Sequence, residues 1–509
     1  MIVKIFSAAL QGVDAFRVDL EVDLARSGMP AFTMVGLAEG AVRESRERVF
    51  SALKNSGLKL PAARITVNLA PADRKKEGSA YDLPLALGLI AAAGILPPSA
   101  ADGFFIAGEL SLAGEVKAVP GVLPLAILAQ KEGARGLIVP LANAAEAAVV
   151  EGLAVYGAST LAEAVAVCSG GENAPQPYAV EPESRDLNRE FLLDFAEVKG
   201  QESAKRAIEI AAAGGHNLLL IGPPGSGKTM LAQRIPSILP PLEFSEALEV
   251  SKIYSVAGLM PTDKGLVTLR PFRAPHHTIS YAGLAGGGSY PRPGEISLAH
   301  RGVLFLDEFP EFQRPVLEIL RQPLEDGEVT ISRSGGALTY PARFMLVAAM
   351  NPCPCGYVND DRHTCTCSPG QVQRYRARLS GPLLDRIDLH IEVPAVEYRD
   401  LRAADGAYSS ALMRERIGRA RARQAERYRN TVCRGNAELS GRLLEKFCRL
   451  SGPEHAFLEK AVQTLGLSAR TYTRILRVAR TVADLADEDN LSAHHLAEAL
   501  NCRMLDRQA

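Results

Sequence analysis

GPPGSGKT at 222–229, with the apolar run LLLI at 218–221 before it and MLAQRI after it, reads as a strand, a glycine-rich loop and a helix. Gly222, Gly225 and Gly227 let the backbone wrap tightly enough for successive N–H groups to point at phosphate, and Pro223, Pro224 and Ser226 complete the loop. Lys228 is placed to reach β and γ phosphates, and Thr229 to hold magnesium. The second decisive stretch is VLFLDE at 303–308. Its four apolar residues predict a buried parallel strand that delivers two carboxylates at its C-terminal end. Asp307 would orient magnesium and Glu308 would polarise the attacking water. The two stretches together imply a site for ATP with Mg2+ and hydrolysis of a nucleoside triphosphate.

The chain has 509 residues, too many for one core, and predicts roughly three domains. Hydrophobic residues at 47% and charged residues at 23% are ordinary for a soluble globular protein. The longest apolar stretch, LPLALGLIAAAGIL at 83–96, contains Pro84, Gly88 and Gly94 and falls short of the ~20 residues a membrane span needs, so a buried helix is expected. The opening MIVKIFSAALQGVDAF lacks the basic-then-apolar secretory pattern, and the expectation is a cytoplasmic protein without a membrane partner. A formal net charge of −1 gives no global preference for nucleic acid; any such binding must come from local patches. Eight Cys in so long a chain do not suggest a disulfide scaffold.

Residues 1–168 mix short strands with Ala-rich helices, and SGGENAPQPYAVEPESRD within 169–186 reads as a linker. From 187 to 395, apolar strands at 218–221, 303–306, 344–349 and 388–393 alternate with helices in the rhythm of a parallel sheet covered on both faces. From 396 to 509, Leu, Ala and Arg at helical spacing predict an all-helical C-terminal domain. The fold class is therefore α/β in its core.

Further segments resemble the AAA+ class of ATPases, in its magnesium-chelatase-like branch. VKGQESAKRAIEIAAAGGHN at 198–217 is similar to the segment that passes over the adenine. MLVAAMNP at 345–352 resembles the sensor strand, which implies that Asn351 sits between the γ phosphate and the attacking water. GPLLDRIDL at 381–389 resembles the arginine-finger segment; the resemblance makes Arg386 the finger, acting on a neighbouring subunit's nucleotide and so requiring an assembled ring. SARTYTRILRVART at 468–481 resembles the second sensor helix, with Arg470 the first choice and Arg474 the second. A surface or ion-pair role is the alternative for each Arg.

The long segments RPFRAPHHTIS at 270–280 and GGGSYPRPGEISLAHRGVLFLDE at 286–308, with the N-terminal opening, carry a resemblance to the ComM (YifB-like) family. That resemblance implies a homo-hexameric DNA helicase driving branch migration on branched or forked DNA, in homologous recombination and natural transformation. In the N-terminal part, KKEGSAYDLPLAL at 75–87 and GELSLAGEVKAVPGVLPLAILA at 108–129 resemble the catalytic segments of Lon-type Ser-Lys proteases. Ala80 stands where the nucleophilic Ser belongs and Leu123 where the activating Lys belongs, so an inactive Lon-like α+β domain is expected; Ser79 is one residue off, with Lys75, Lys76 and Lys117 the nearest bases. The whole then reads as a Lon-protease-like domain, an AAA+ P-loop ATPase core with a parallel sheet, and a helical C-terminal lid.

CPC at 353–355 and CTC at 365–367 gather Cys353, Cys355, Cys365 and Cys367 just after Asn351. Such clustering favours a metal, and four thiolates suit tetrahedral Zn2+. The C-x-C spacing is tighter than the usual C-x-x-C, and His363 could replace one thiolate; a redox-sensitive thiol cluster and four unliganded Cys stay open as alternatives. Cys168, Cys433, Cys448 and Cys502 are scattered and read as packing residues.

For DNA, GEVTISRSGGALTYPARF at 327–344 predicts a two-stranded hairpin turning at Gly335-Gly336. It resembles the pore hairpin of related helicases, which makes Arg333 a candidate DNA contact, a structural hairpin with a solvated Arg being the alternative. RERIGRARARQAERYRNTVCR at 414–434 carries eight Arg against two Glu; phosphate attraction and a solvated or inter-subunit helix face both fit. Arg273, His276 and His277 suit structural or DNA-contacting roles, since two adjacent His without acidic company make a poor metal site. Two other functions stay in view: a magnesium-chelatase-type motor subunit acting on a partner enzyme, and an AAA+ protein-remodelling chaperone or regulatory protease.

Overall fold

Leu218–Ile221 is a strand with all four side chains buried, as an unbroken apolar run paired on both edges requires. Each such Leu or Ile removed from water contributes about 1.5–3 kcal/mol. Its neighbours are Met345–Met350 on one side and Leu389–Glu392 on the other; beyond Met345–Met350 come Val303–Leu306 and then the short edge strand Phe272–Arg273. All four pairings are parallel, so the C-terminal ends of the strands gather along one edge. The protein is described here by a computed structural model covering residues 2–505 apart from 27–28, 38–39, 172, 180–192, 262–263, 289–291, 334–335, 359, 361, 397–407 and 504.

The chain divides into two compact units. One comprises Met1–Leu187, Glu243–Thr268 and Pro291–Pro293; the other comprises Asn188–Leu242, Leu269–Tyr290 and Gly294–Ala509. Two features of these units go beyond the expected boundaries. First, the helices of the C-terminal region pack into the same buried cluster as the central sheet. Met413, Ile417 and Ala420 of Ser410–Tyr428, with Ile475, Val478 and Val482 of Ala469–Leu485, share one buried cluster with Ile208 and Ala211 of Glu202–Gly214 and with Leu218 and Leu220 of the sheet. Ser409 and Ser468 start two of these helices by accepting from the backbone N–H of Leu412 and Thr471.

Second, the helix Phe244–Ala257 belongs to the N-terminal unit, although nucleotide-site motifs flank it in sequence. Its Ser255 carbonyl accepts from Gly121 N–H at 2.9 Å, ahead of the helix Val122–Lys131. Gly265 in the same segment lies so close to the chain at Ala145 that a Cβ there would sit 2.7 Å from the Ala145 carbonyl oxygen.

The N-terminal unit is α+β. Its seven-stranded sheet runs in the order Ala31–Val35, Arg64–Ala70, Asp14–Ala25, Ile2–Gln11, Phe104–Ile106, Gly136–Pro140, Val155–Ala158. The long hairpin of Ile2–Gln11 and Asp14–Ala25 is antiparallel, whereas the strands from Phe104–Ile106 onward are parallel. The apolar stretch at 83–96 forms the helix Asp82–Ala92, every residue of which is buried, and the chain turns at Gly94 with a positive φ of 80°. Among the described residues no helix is long and apolar enough to cross a membrane. Of the linker expected at 169–186, residues 172 and 180–186 lie outside the described residues.

Candidate functional site

Three adjacent parallel strands end side by side and present the motif residues. From Ile221 the chain enters the glycine-rich loop, where Gly222 N–H donates to the carbonyl of Met350 at 3.2 Å. A Cβ on Gly222 would lie 2.1 Å from the Val393 carbonyl oxygen, so no other residue fits there. Gly225 and Gly227 both have positive φ, and Gly227 caps the helix Lys228–Ile238, whose N-terminal end faces the loop.

Lys228 Nζ folds back over the loop, donating to the carbonyls of Gly222 at 2.8 Å and Pro223 at 2.9 Å, with Asn351 Oδ1 at 3.4 Å. Burial pushes the Lys228 ammonium below its usual pKa, while the nearby charge of Asp307 works in the opposite direction. Thr229 Oγ1 donates to Asp307 Oδ2 at 2.7 Å, bringing together the two oxygen donors named for magnesium. Hard oxygen ligands in this pairing suit Mg2+, which is commonly held by few protein ligands and by phosphate. Glu308 has a left-handed backbone, φ 51°, and its N–H donates to Asp307 Oδ1 at 2.9 Å.

The fold also supplies what sequence reasoning missed. In sequence the His276-His277 pair lacks acidic company, yet His277 Nδ1 lies 2.8 Å from Glu308 Oε2. The His277 ring is held between His276, 4.1 Å away centre to centre, and Phe312 at 6.4 Å. His277 follows the edge strand Phe272–Arg273, the neighbour of Val303–Leu306, and a periodicity argument that paired those two strands could have found it. Arg273 makes two hydrogen bonds to Glu295, at 2.6 and 2.7 Å, and holds this edge in place.

Asn217, just before the first core strand, ties the strand Met345–Met350 to the segment 381–389. Its Oδ1 accepts from Leu346 N–H and its Nδ2 donates to the Arg386 carbonyl, both at 2.9 Å. Gln201 Nε2 spans the loop from the other side, reaching the carbonyls of Ser226 at 3.2 Å and Pro394 at 2.5 Å.

Arg386 and Arg470 are not brought to this cluster: among the described residues neither has a hydrogen bond or ion pair with Lys228, Thr229, Asp307 or Glu308. Arg386 pairs with Glu325 and the carbonyl of Pro382, its side chain only 12% exposed. Arg470 pairs with Asp385 at 3.1 Å and is 73% exposed. Arg474, the second choice, is committed to Asp388. Burial alone would raise the Asp388 carboxyl, but Arg474 and His216 beside it hold it well below the usual carboxylate range.

The hairpin appears as Glu328–Arg333 against Gly336–Pro341, with Arg333 opposite Gly336. Val329, Ile331 and Tyr340 are buried on one face. The turn and the Arg333 side chain lie outside the described residues. The basic run at 414–434 is mostly occupied internally. Arg414 donates to the Ser237 carbonyl, Arg421 to the Ala212 carbonyl, Arg416 meets Glu209, Arg423 meets Asp487 and Asp489, and Arg427 holds the buried Asp484. These contacts favour a structural helix face over phosphate attraction. In the N-terminal unit, Ser79 donates to Glu109, while Lys76 Nζ is bound to the carbonyls of Gly36 and Pro71 and Lys117 pairs with Glu115.

The four sulfurs of Cys353, Cys355, Cys365 and Cys367 lie within 4.8 Å of one another, directly after the sensor strand. His363 is turned to Asp360 at 3.3 Å and stacks on Tyr357, so it is not part of the group.

Residues 194–401 match the magnesium chelatase subunit ChlI family, residues 20–143 a second family described as subunit ChlI of Mg-chelatase, and residues 407–503 the ChlI C-terminal family. The chain is 48% identical to competence protein ComM of Haemophilus influenzae, over 99% of this chain and 97% of that one. It is 45% identical to the protein YifB of Escherichia coli, over 99% and 97%. A magnesium-chelatase 38 kDa subunit of Rhodobacter capsulatus is 24% identical over 34% of this chain and 54% of its own length. Full-length similarity at this level, on a nucleotide-site geometry of this kind, means that the chain belongs to the ComM/YifB family of magnesium-chelatase-like AAA+ proteins.

Proposed function

We propose that the protein is a ring-forming ATPase that moves DNA, acting on branched or forked substrates in recombination and natural transformation. The observation that carries the ATPase part is the convergence of Lys228, Thr229, Asp307, Glu308 and Asn351 at the ends of three neighbouring parallel strands. Lys228 and the loop N–H groups hold the β and γ phosphates, and Thr229 and Asp307 hold magnesium, which when bound neutralises charge on the transferring phosphoryl oxygens. Glu308 orients the attacking water and accepts its proton, and Asn351 fixes that water against the γ phosphate. Arg386 leaves Glu325 to act on the site of an adjacent subunit, and Arg470, joined to the finger's neighbour Asp385, lies on the same side.

Support for DNA as the substrate comes from a relative named as a competence protein that matches the chain end to end. The pairwise match to the Rhodobacter capsulatus 38 kDa subunit covers a third of the chain, while the ChlI family matches extend over most of it, so a chelatase-type motor is the rival reading. The partnered Ser79 and Lys76 weigh against a protease. The deciding experiment measures ATP turnover alone, with forked duplex, and with unfolded protein. Stimulation by the forked duplex alone supports the motor on DNA; stimulation only by unfolded protein overturns it in favour of a remodelling chaperone.

A further inference from the structure

Cys353, Cys355 and Cys365 have sulfur separations of 3.4, 3.5 and 3.8 Å. A disulfide needs about 2.05 Å, far shorter than any of these. Four thiolates around one zinc, with bonds of about 2.3 Å, stand roughly 3.8 Å apart in a tetrahedron, and this spacing is what the sulfurs approach. Backbone N–H groups support the sulfurs from outside: those of Tyr357 and Thr366 point at Cys355, that of Cys367 at Cys365, and that of Cys355 at Cys367. The loop between the two Cys pairs is folded by Asp360, whose Oδ1 accepts from the backbone N–H of Arg362 at 2.7 Å and of His363 at 2.8 Å.

We propose that these four Cys bind one Zn2+ and that the metal knuckle clamps the phosphate loop against the sensor strand. The second half rests on the ATPase reading; the first does not. Cys353 is buried and stands two residues beyond Asn351. Gly356, at φ 88°, packs against the phosphate loop so closely that a Cβ there would meet Pro224 Cδ at 2.5 Å. After Cys367 the chain enters the helix Pro369–Arg376, started by a capping box between Ser368 and Gln371, and its Tyr375 returns to hydrogen-bond the backbone of Asn351. The knuckle thus closes a circuit from Asn351 through four sulfurs and back, and touches the loop that carries Lys228. Without the metal, the chain between residues 353 and 367 loses its cross-link, and both Asn351 and Pro224 lose a fixed support.

The test uses the full chain purified under reducing conditions. Elemental analysis should find about one zinc per chain, removed by a strong chelator and restored by Zn2+ alone. Co2+ added to the stripped protein should give the intense visible spectrum of tetrahedral thiolate coordination. A chain that takes up neither metal overturns the site, and this measurement does not depend on any Cys variant folding. Zinc removal should lower ATP turnover about tenfold or more, as loss of supporting contacts commonly does. Gly356→Ala should keep its zinc yet lose ATP affinity several-fold, because the added methyl pushes on Pro224. Unaltered ATP binding in Gly356→Ala together with unaltered turnover after stripping overturns the clamp. Zinc bound in a chain that never hydrolyses ATP upholds the metal site and sinks the ATPase reading instead.

Discussion

His277 Nδ1 lies 2.8 Å from Glu308 Oε2, joining the edge of the central sheet to the carboxylate proposed to activate water. The contact takes up one of the two carboxylate oxygens. If it keeps Glu308 turned away from the attacking water, release of the contact readies the base. His277→Ala should therefore raise basal ATP turnover about threefold to tenfold while leaving nucleotide affinity unchanged, in proportion to the loss of one hydrogen bond of ordinary strength. Steady-state hydrolysis and equilibrium nucleotide binding check this, and turnover that falls or stays level would assign His277 an orienting or merely structural role.

Binding and hydrolysis should separate at two other residues. Lys228→Ala removes the ammonium proposed to face the phosphates and should weaken ATP binding by about ten- to a hundredfold, corresponding to ~1.5–3 kcal/mol of charge-assisted hydrogen bonding. Glu308→Gln keeps size and shape but not the base, so it should bind ATP normally and turn it over about a hundredfold more slowly. Normal turnover in Glu308→Gln would remove Glu308 as the base.

The core strands and the phosphate loop are legible in the sequence because their signals are local. Four consecutive apolar residues mark a doubly covered strand, and the glycines at 222, 225 and 227 serve a backbone shape set within a few residues. The observed strands Met345–Met350 and Leu389–Glu392 lie within one residue of the expected ones. What was not legible depends on distant partners. The basic run at 414–434 looks like a phosphate-binding face until Ser237, Glu209 and Asp484 arrive from three other segments. His277 meets Glu308 only because two strands far apart in sequence become neighbours. The amphipathic helix Phe244–Ala257 announces its buried face without saying which unit covers it.

The N-terminal unit should lose stability as pH rises through a window set by Glu146. Burial pushes this carboxyl up to about 7, although Asn143 at 2.7 Å and Ser255 favour its charged form. The unfolded chain releases the same proton near the ordinary value of 4.5. Between those values the unfolded state binds fewer protons, so stability is full below about 4.5 and declines until about 7, by up to roughly 3 kcal/mol. Glu146→Gln, neutral at every pH, should flatten that decline. Urea melts of both proteins from pH 5 to pH 8, run in parallel to cancel other titrating groups, measure the difference; parallel curves would show that Glu146 carries no linkage.

Arg386 should act across a subunit boundary, and Glu325 is the residue that makes this testable. In the single chain the guanidinium is held by Glu325 and the Pro382 carbonyl, and among the described residues it has no hydrogen bond or ion pair with its own Lys228, Asp307 or Glu308. A finger that works in trans must exchange Glu325 for the phosphates of a neighbour, and charge developing in phosphoryl transfer supplies the attraction. Arg386→Ala chains should bind ATP yet lower the turnover of mixed rings by more than their share, since each one disables the adjacent site. Glu325→Gln, which weakens the resting pair and keeps the Arg, should preserve or increase turnover and should not poison mixtures. Turnover measured over a series of mixing ratios distinguishes the two: a curve that bends below the straight line for Arg386→Ala alone is expected. A straight line for Arg386→Ala returns that residue to an ion-pair role within one chain, and poisoning by Glu325→Gln as well would trace the effect to the shared local structure instead of the guanidinium.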